Sequence, residues 1–298
     1  MAGVRYSVEH LTRYDYSAPV SQSWQLARLM PRALPWQQLL SYALQIDPPP
    51  EERHDAADSF GNIVTHFGLH SAHRLLRVRM RCTVEVGARA APVAAGEGAA
   101  PAEPWESVRD QVQREPQLDD LAAARMSEPT PLVPLSDAAC AYAAPLLAPG
   151  RDWLDAVTAL MHAIHRDFEF DPHSTTVSTS VDEVLQQRSG VCQDFAHLML
   201  ACLRGHGLPA RYVSGYLLTA APASGAKLTG SDASHAWVAA FSPRHGWVEF
   251  DPTNDQLADA RYITLAWGAD FADVVPLRGV ILGGGEQTLD VAVSVVAV

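Results

Sequence analysis

Residues 189–203, SGVCQDFAHLMLACL, place a cysteine where a turn gives way to an apolar helical run. Gly190 marks the turn, Cys192 opens the helix, and the run stops after Arg204 at Gly205 and Gly207. At the first turn of a helix the backbone N–H groups lack partners and the dipole is positive. Such surroundings favour thiolate over thiol, and the thiolate is the nucleophile. The same N–H groups can receive the oxyanion formed when sulfur attacks a carbonyl. Cys192 is therefore the candidate nucleophile.

The flanking sequence supplies a scaffold. Leu154, Val157, Leu160, Met161, Ile164 and Phe168 share one helical face. Ser180 followed by Glu183 reads as a capping box that opens a short helix, VDEVLQQ, residues 181–187. Downstream, ARYVSGYLL, SHAWVAAF and GWVEFDP read as three strands separated by turn residues. His235 opens the second of these and Asp251 closes the third. The joining SPRHG suits a hairpin, and antiparallel pairing brings the start of one strand beside the end of the other. A thiolate needs a base, and the base needs an orienting group. Cys192, His235 and Asp251 fill those roles in chain order, with Asp232 as a competitor for the third.

The blocks GVCQDFAHLMLACLRGHGLPARYVSGYL, DASHAWVAAF and GWVEFDPTND resemble, in that order, the transglutaminase-like (papain-like thiol) superfamily. The similarity is greatest to its bacterial branch, which carries a β-rich N-terminal extension; RYSVEHLTRYDYSAPV and the tail from Tyr262 resemble that branch too. The resemblance implies Cys192 as nucleophile, His235 as base and acid, and Asp251 as orienting carboxylate. It implies an α+β fold, with a papain-like core whose cysteine-bearing helix packs on an antiparallel sheet, and an N-terminal β-sandwich-like domain. It also implies acyl transfer through a thioester. Known members hydrolyse amides, transfer the acyl group to an amine, or have lost catalysis. Ala239 departs from the pattern, since the family often carries an acidic residue two places after the tryptophan.

Three functions follow as expectations. The first is a cysteine peptidase or amidase. The second is an amine-dependent acyltransferase, a protein-glutamine transglutaminase, and the third a non-catalytic binding module. Hydrolysis is favoured because nothing in the sequence marks an amine tunnel or a calcium-gated lid, and the complete triad counts against the third.

The organisation divides into residues 1–86, a β-rich domain; 87–149, a linker with short helices; 150–262, the catalytic core; and 263–298, a tail with a final strand. RLLRVRMRCTVEVG alternates Leu76, Val78, Met80, Cys82 and Val84 against arginines and threonine, as a half-exposed strand does. ARAAPVAAGEGAAPAEP has no periodicity and reads as a linker or surface loop.

Lys plus Arg is 22 against 34 Asp plus Glu, a net charge of −12. That balance argues against nucleic-acid and anionic membrane partners; the resemblance implies a peptide or protein substrate. The first twenty residues carry charges throughout and lack the apolar stretch of a signal peptide. Cytoplasm, with reduced thiols, is the simplest compartment. Cys202 falls deep in the apolar run and reads as a packing residue. His197 lies about 140° around the helix from Cys192 and cannot turn toward the sulfur. Cys192, His197 and Cys202 fit no common zinc spacing, and no EF-hand loop occurs, so neither metal nor cofactor is expected. Gly283, Gly284 and Gly285 lack the GK[ST] of a phosphate loop and read as a turn.

Overall fold

The computed structural model describes residues 3–92, 102–114, 118–218, 228–229 and 234–298. The N-terminal region holds β1 (Val4–Ala27), β2 (Gln37–Asp47), β3 (Glu52–Ala57), β4 (Ile63–Leu69) and β5 (His73–Val86). Helices α1 (Trp105–Arg114), α2 (Leu118–Ala124), α3 (Asp137–Ala143) and α4 (Trp153–Asp167) follow, then β6 (Glu169–Phe170), α5 (Val181–Gln187) and β7 (Ser189–Gly190). Next come α6 (Cys192–Gly205), β8 (Ala210–Leu217), β9 (Leu228–Thr229), β10 (His235–Ser242), β11 (Gly246–Asp251) and β12 (Gln256–Leu257). The chain continues through β13 (Tyr262–Gly268), α7 (Phe271–Val274), β14 (Leu277–Gly283) and β15 (Gln287–Ala297).

The long strand β1 organises the first layer. Residues 4–16 lie between β5 and β15, so Thr12 faces Val78 on one side and Val291 on the other. Residues 23–27 instead lie between β4 and β14. Pairing with β5 shifts between Asp15 and Val20, around Pro19, which has no N–H to give a ladder. Eight strands result, β2-β5-β1-β15-β9 with β14, β4 and β3 joined through the second half of β1. Leu76, Val78, Met80 and Val84 of β5 are fully buried, as their alternation requires. The three glycines 283–285 all have positive φ and turn β14 into β15.

The second layer is an antiparallel sheet, β12-β11-β10-β8-β13. Helix α6 packs on β8 and β10, while α3, α4 and α5 surround its other flanks. That enclosure explains a helix buried from Asp194 to Arg204, apolar nearly all round. The capping box of α5 is present in both directions: Ser180 Oγ accepts from Glu183 N–H at 3.3 Å, and Glu183 accepts from Ser180 N–H at 2.7 Å. No helix among the described residues is long and apolar enough to cross a membrane.

Two stretches are organised differently from the sequence expectation. In the linker region, α1 and α3 bury Trp105, Val108, Ala139 and Ala143 in the main core. The tail divides: residues 262–268 form an edge strand of the core sheet, and β14 and β15 return to β1. Strands β3, β13 and β14 went unread. β3 is exposed at every position and has no apolar alternation to betray it.

The outer edge of β13 is covered by two side-chain amides from the N-terminal region. Gln37 Nε2 donates to Thr264 O at 2.8 Å, and Gln37 Oε1 accepts from Thr264 N–H at 2.8 Å. Asn62 does the same for Trp267, donating to its carbonyl at 2.8 Å and accepting from its N–H at 3.0 Å. Each amide thus stands in for a neighbouring strand's peptide group. Gln37→Leu should leave Thr264 N–H buried without a partner, while Thr264 O still accepts from Arg32 N–H at 3.2 Å, and lower unfolding stability by about 1–3 kcal/mol. Urea unfolding checks this, and an unchanged midpoint would show that water repairs the edge.

Candidate active site

Cys192 stands at the first position of α6, where the helix geometry leaves its own N–H and that of Gln193 without intrahelical partners. The turn before it is held by Asp194, which accepts from Val191 N–H at 2.8 Å and from the Thr175 hydroxyl at 2.6 Å. Gly190 has no alternative here, because a Cβ would lie 2.9 Å from the Asp194 side chain. Asp194 is buried, and burial raises its pKa against the lowering effect of those two bonds. Asp194 is the clasp that sets the cysteine's turn.

His235 and Asp251 come from the β10–β11 hairpin, paired from Val238 and Phe250 down to Ser242 and Gly246. His235 Nε2 donates to Asp251 Oδ2 at 2.6 Å. The Cys192 sulfur lines the same cavity as this ring. Burial works to strip the proton from His235, but the Asp251 carboxylate and the nearby sulfur outweigh it and raise its pKa to about 10. Asp251 is itself fully buried. Burial opposes its charge, yet His235 and the bonds from Tyr262 and Asn254 hold its carboxyl below the usual range.

Among the described residues, every hydrogen-bond partner of that carboxylate is a donor. Oδ2 accepts from His235, from Tyr262 O–H at 2.6 Å and from Asn254 Nδ2 at 2.7 Å. Oδ1 accepts from the N–H groups of Thr253 at 2.9 Å and Asn254 at 3.2 Å. The sequence reading missed Tyr262 and Asn254. Asn254 carried a signal, since a DPTND turn lets backbone and side-chain amides fold back on the aspartate. Tyr262 carried none, because it belongs to a different strand of the sheet.

Trp237 both packs and walls the site. Its ring stacks on His235 at 5.9 Å between centroids, and its Nε1 donates to Glu249 Oε2 at 2.8 Å. Glu249 pairs with Arg89 at 3.2 Å. Ala239, where an acidic residue is frequent in the family, lies directly across from Glu249 in the β10–β11 ladder. A carboxylate on the neighbouring strand therefore occupies this side of the tryptophan.

The remaining candidates are elsewhere. His197 is buried against Tyr212, accepts from Phe271 N–H at 3.3 Å, and is pushed down to about 4 by burial. Cys202 is fully buried, donates toward Ala139 O at 3.4 Å, and burial raises its thiol well above the ordinary value. His245, in the turn between β10 and β11, stacks on Trp153 at 5.7 Å between centroids. Asp232 lies outside the described residues. Among the described residues, no group of three His, Cys, Asp or Glu side chains could hold a metal ion.

Cys192 and His235 open into a cavity of about 300 Å³. Its floor includes Tyr212 of β8, and its far wall comes from β1 and β15. A nucleophile, a charged imidazole and first-turn N–H groups thus meet beside an enclosed space, an arrangement suited to attack on a carbonyl.

Residues 6–85 match the family described as the bacterial transglutaminase-like N-terminal region, and residues 141–252 match the transglutaminase-like superfamily. An uncharacterized protein of Mycobacterium tuberculosis is 40% identical, over 98% of this chain and 92% of its own length. An uncharacterized protein of Mycobacterium leprae is 32% identical, over 98% of both chains. The crystal structure of a candidate cysteine protease from Cytophaga hutchinsonii shares the fold at a TM-score of 0.72 and 18% identity, covering 100% of this chain and 91% of that one.

Proposed function

Because this chain belongs to the transglutaminase-like superfamily, a family of thiol-dependent enzymes, we propose that it hydrolyses amide bonds of a peptide or protein substrate through a thioester on Cys192. The support is that Cys192 and His235 line one cavity and that His235 bonds the buried Asp251.

The sulfur attacks the carbonyl carbon, a C–S bond forms, and the displaced electron pair settles on oxygen. The N–H groups at the start of α6 receive that oxyanion. When the intermediate collapses, the C–N bond breaks and His235 gives its proton to the leaving amine. His235 then takes a proton from water, whose oxygen attacks the thioester. The C–S bond breaks, the free acid leaves, and the sulfur recovers its proton or its charge-paired state. Asp251 fixes the ring and balances the imidazolium throughout. No cofactor takes part in this sequence. All four cysteines are free thiols, which suits a cytoplasmic setting.

Incubation with a peptide library, with and without a primary amine, tests the reaction by product mass. Free acids are expected in both samples. Products found only as amine conjugates would reassign the enzyme as an acyltransferase. No product and no thioester would overturn the reading.

A further inference from the structure

We propose that the N-terminal sheet forms one wall of the acyl-side subsite above Cys192, and that this subsite takes uncharged apolar side chains and rejects charged ones. The inference deepens the proposed function and rests on it.

The wall is set by register. Thr12 and Tyr14 of β1 pair with Val291 and Leu289 of β15, and all four face the cavity that contains Cys192 and His235. His10, two residues before Thr12, lies on the same face. The catalytic groups therefore come from the core, and the surface opposite them from strands that begin and end the described chain. Among the described residues, no Asp, Glu, Lys or Arg lines this cavity. His10 does not supply a charge either. Its Nδ1 meets the Tyr216 hydroxyl at 2.8 Å and its Nε2 meets Thr12 Oγ1 at 3.2 Å. Burial lowers its pKa to about 4, so it is neutral near pH 7.

The mouth offers a second observation. Val177 is 60% exposed and Leu289 is 51% exposed. They belong to opposite sides of the cavity, one to the loop before α5 and the other to β15. Large exposed apolar groups converging on one opening mark a surface that a ligand covers. A volume of about 300 Å³ lies at the small end of ligand pockets. A charged side chain packed on the β1–β15 wall, away from Cys192 and His235, would lose its hydration with no counter-charge among Thr12, Tyr14, Leu289 and Val291.

The test uses N-acetyl aminoacyl chloromethyl ketones of Leu, Phe, Asp and Lys, which alkylate the sulfur with loss of chloride. The labelling rate at Cys192 is read by mass and peptide mapping at pH 7. The Leu and Phe reagents should react on the order of 30-fold faster than the Asp and Lys reagents, as unpaired burial of a charge requires. Leu289→Asp should raise the Lys rate relative to the Leu rate by on the order of tenfold, again from supplying a counter-charge. Leu282→Asp, equally exposed on β14 away from the cavity, should leave the ratio as it was. If the four reagents label Cys192 at similar rates, or if Leu289→Asp leaves the ratio untouched, the subsite is wrong while the nucleophile stands. If no reagent labels Cys192 faster than Cys140, the proposed function fails and takes the subsite with it.

Discussion

Cys192→Ala is expected to lower turnover by on the order of 10⁴-fold or more, consistent with the loss of a triad nucleophile. Its thermal unfolding should stay close to that of the parent. The sulfur is partly exposed at a cavity, so its loss opens no void in the core. Cys202→Ala should show the reverse pattern. Its sulfur is fully buried beside α3, and removing it should cost about 1–2 kcal/mol of stability with little loss of activity. Iodoacetamide mapping gives an independent readout: Cys192 should be alkylated first, and Cys202 and Cys82, both buried, last. Preferential modification of Cys202, or residual activity of a few per cent in Cys192→Ala, would sink the assignment.

Asp251→Asn should reduce the rate on the order of 10- to 10³-fold, less than the about 10⁴-fold of a serine-protease triad because a thiol triad starts from an ion pair. The structure adds a reason beyond tautomer choice. Both carboxylate oxygens face donors only, so an amide must turn its NH₂ toward one set of them whichever way it is placed. The cost therefore includes folding stability, about 2–4 kcal/mol from donors left unpaired.

Its pH dependence follows from the two shifts. His235 has a raised pKa, so its contribution is complete below about 6.5 and is lost as pH rises through about 10. Asp251 has a lowered pKa, so its contribution is present above about 3.9 and is lost as pH falls further. The melting-temperature gap between parent and variant should be widest near pH 5–6, roughly between those ordinary values, and should shrink toward pH 10. Removing the carboxylate also lets His235 lose its proton earlier, so the alkaline limb of the rate profile should move toward neutrality. Asp232→Asn should cost far less. A crippled Asp232→Asn beside a near-normal Asp251→Asn would replace the third member of the triad.

The three candidate residues were legible because each sits at a boundary written locally. Cys192 follows a glycine turn, and His235 and Asp251 bracket one hairpin closed by the short connection 243–245. The helices with strong periodicity or caps, α4, α5 and α6, were legible for the same reason. What escaped depends on distant pairing. Tyr262 reaches Asp251 only because β13 joins the sheet beside β8. Strand β13 is one continuous apolar run with no period, and its covering amides, Gln37 and Asn62, lie more than 200 residues away along the chain. The cavity's far wall is the extreme case, since β1 and β15 carry no mark that they meet. Alternation revealed which faces of those strands are buried but could not say that one of them looks onto a cysteine.

The pairing of β1 with β15 also orders events in time. Val8 pairs with Cys82 on one side and with Val295 on the other. About 260 residues separate the end of β1 from the start of β15, which at about 5–20 residues per second is roughly 13–52 s of synthesis. During that interval the half of β1 that will meet β15 holds one finished edge and one open edge, and open edges invite foreign strands. The cysteine, its histidine and its aspartate have all been translated before the last strand closes over them. A growing chain thus holds a thiol without a wall, and the enclosure comes last.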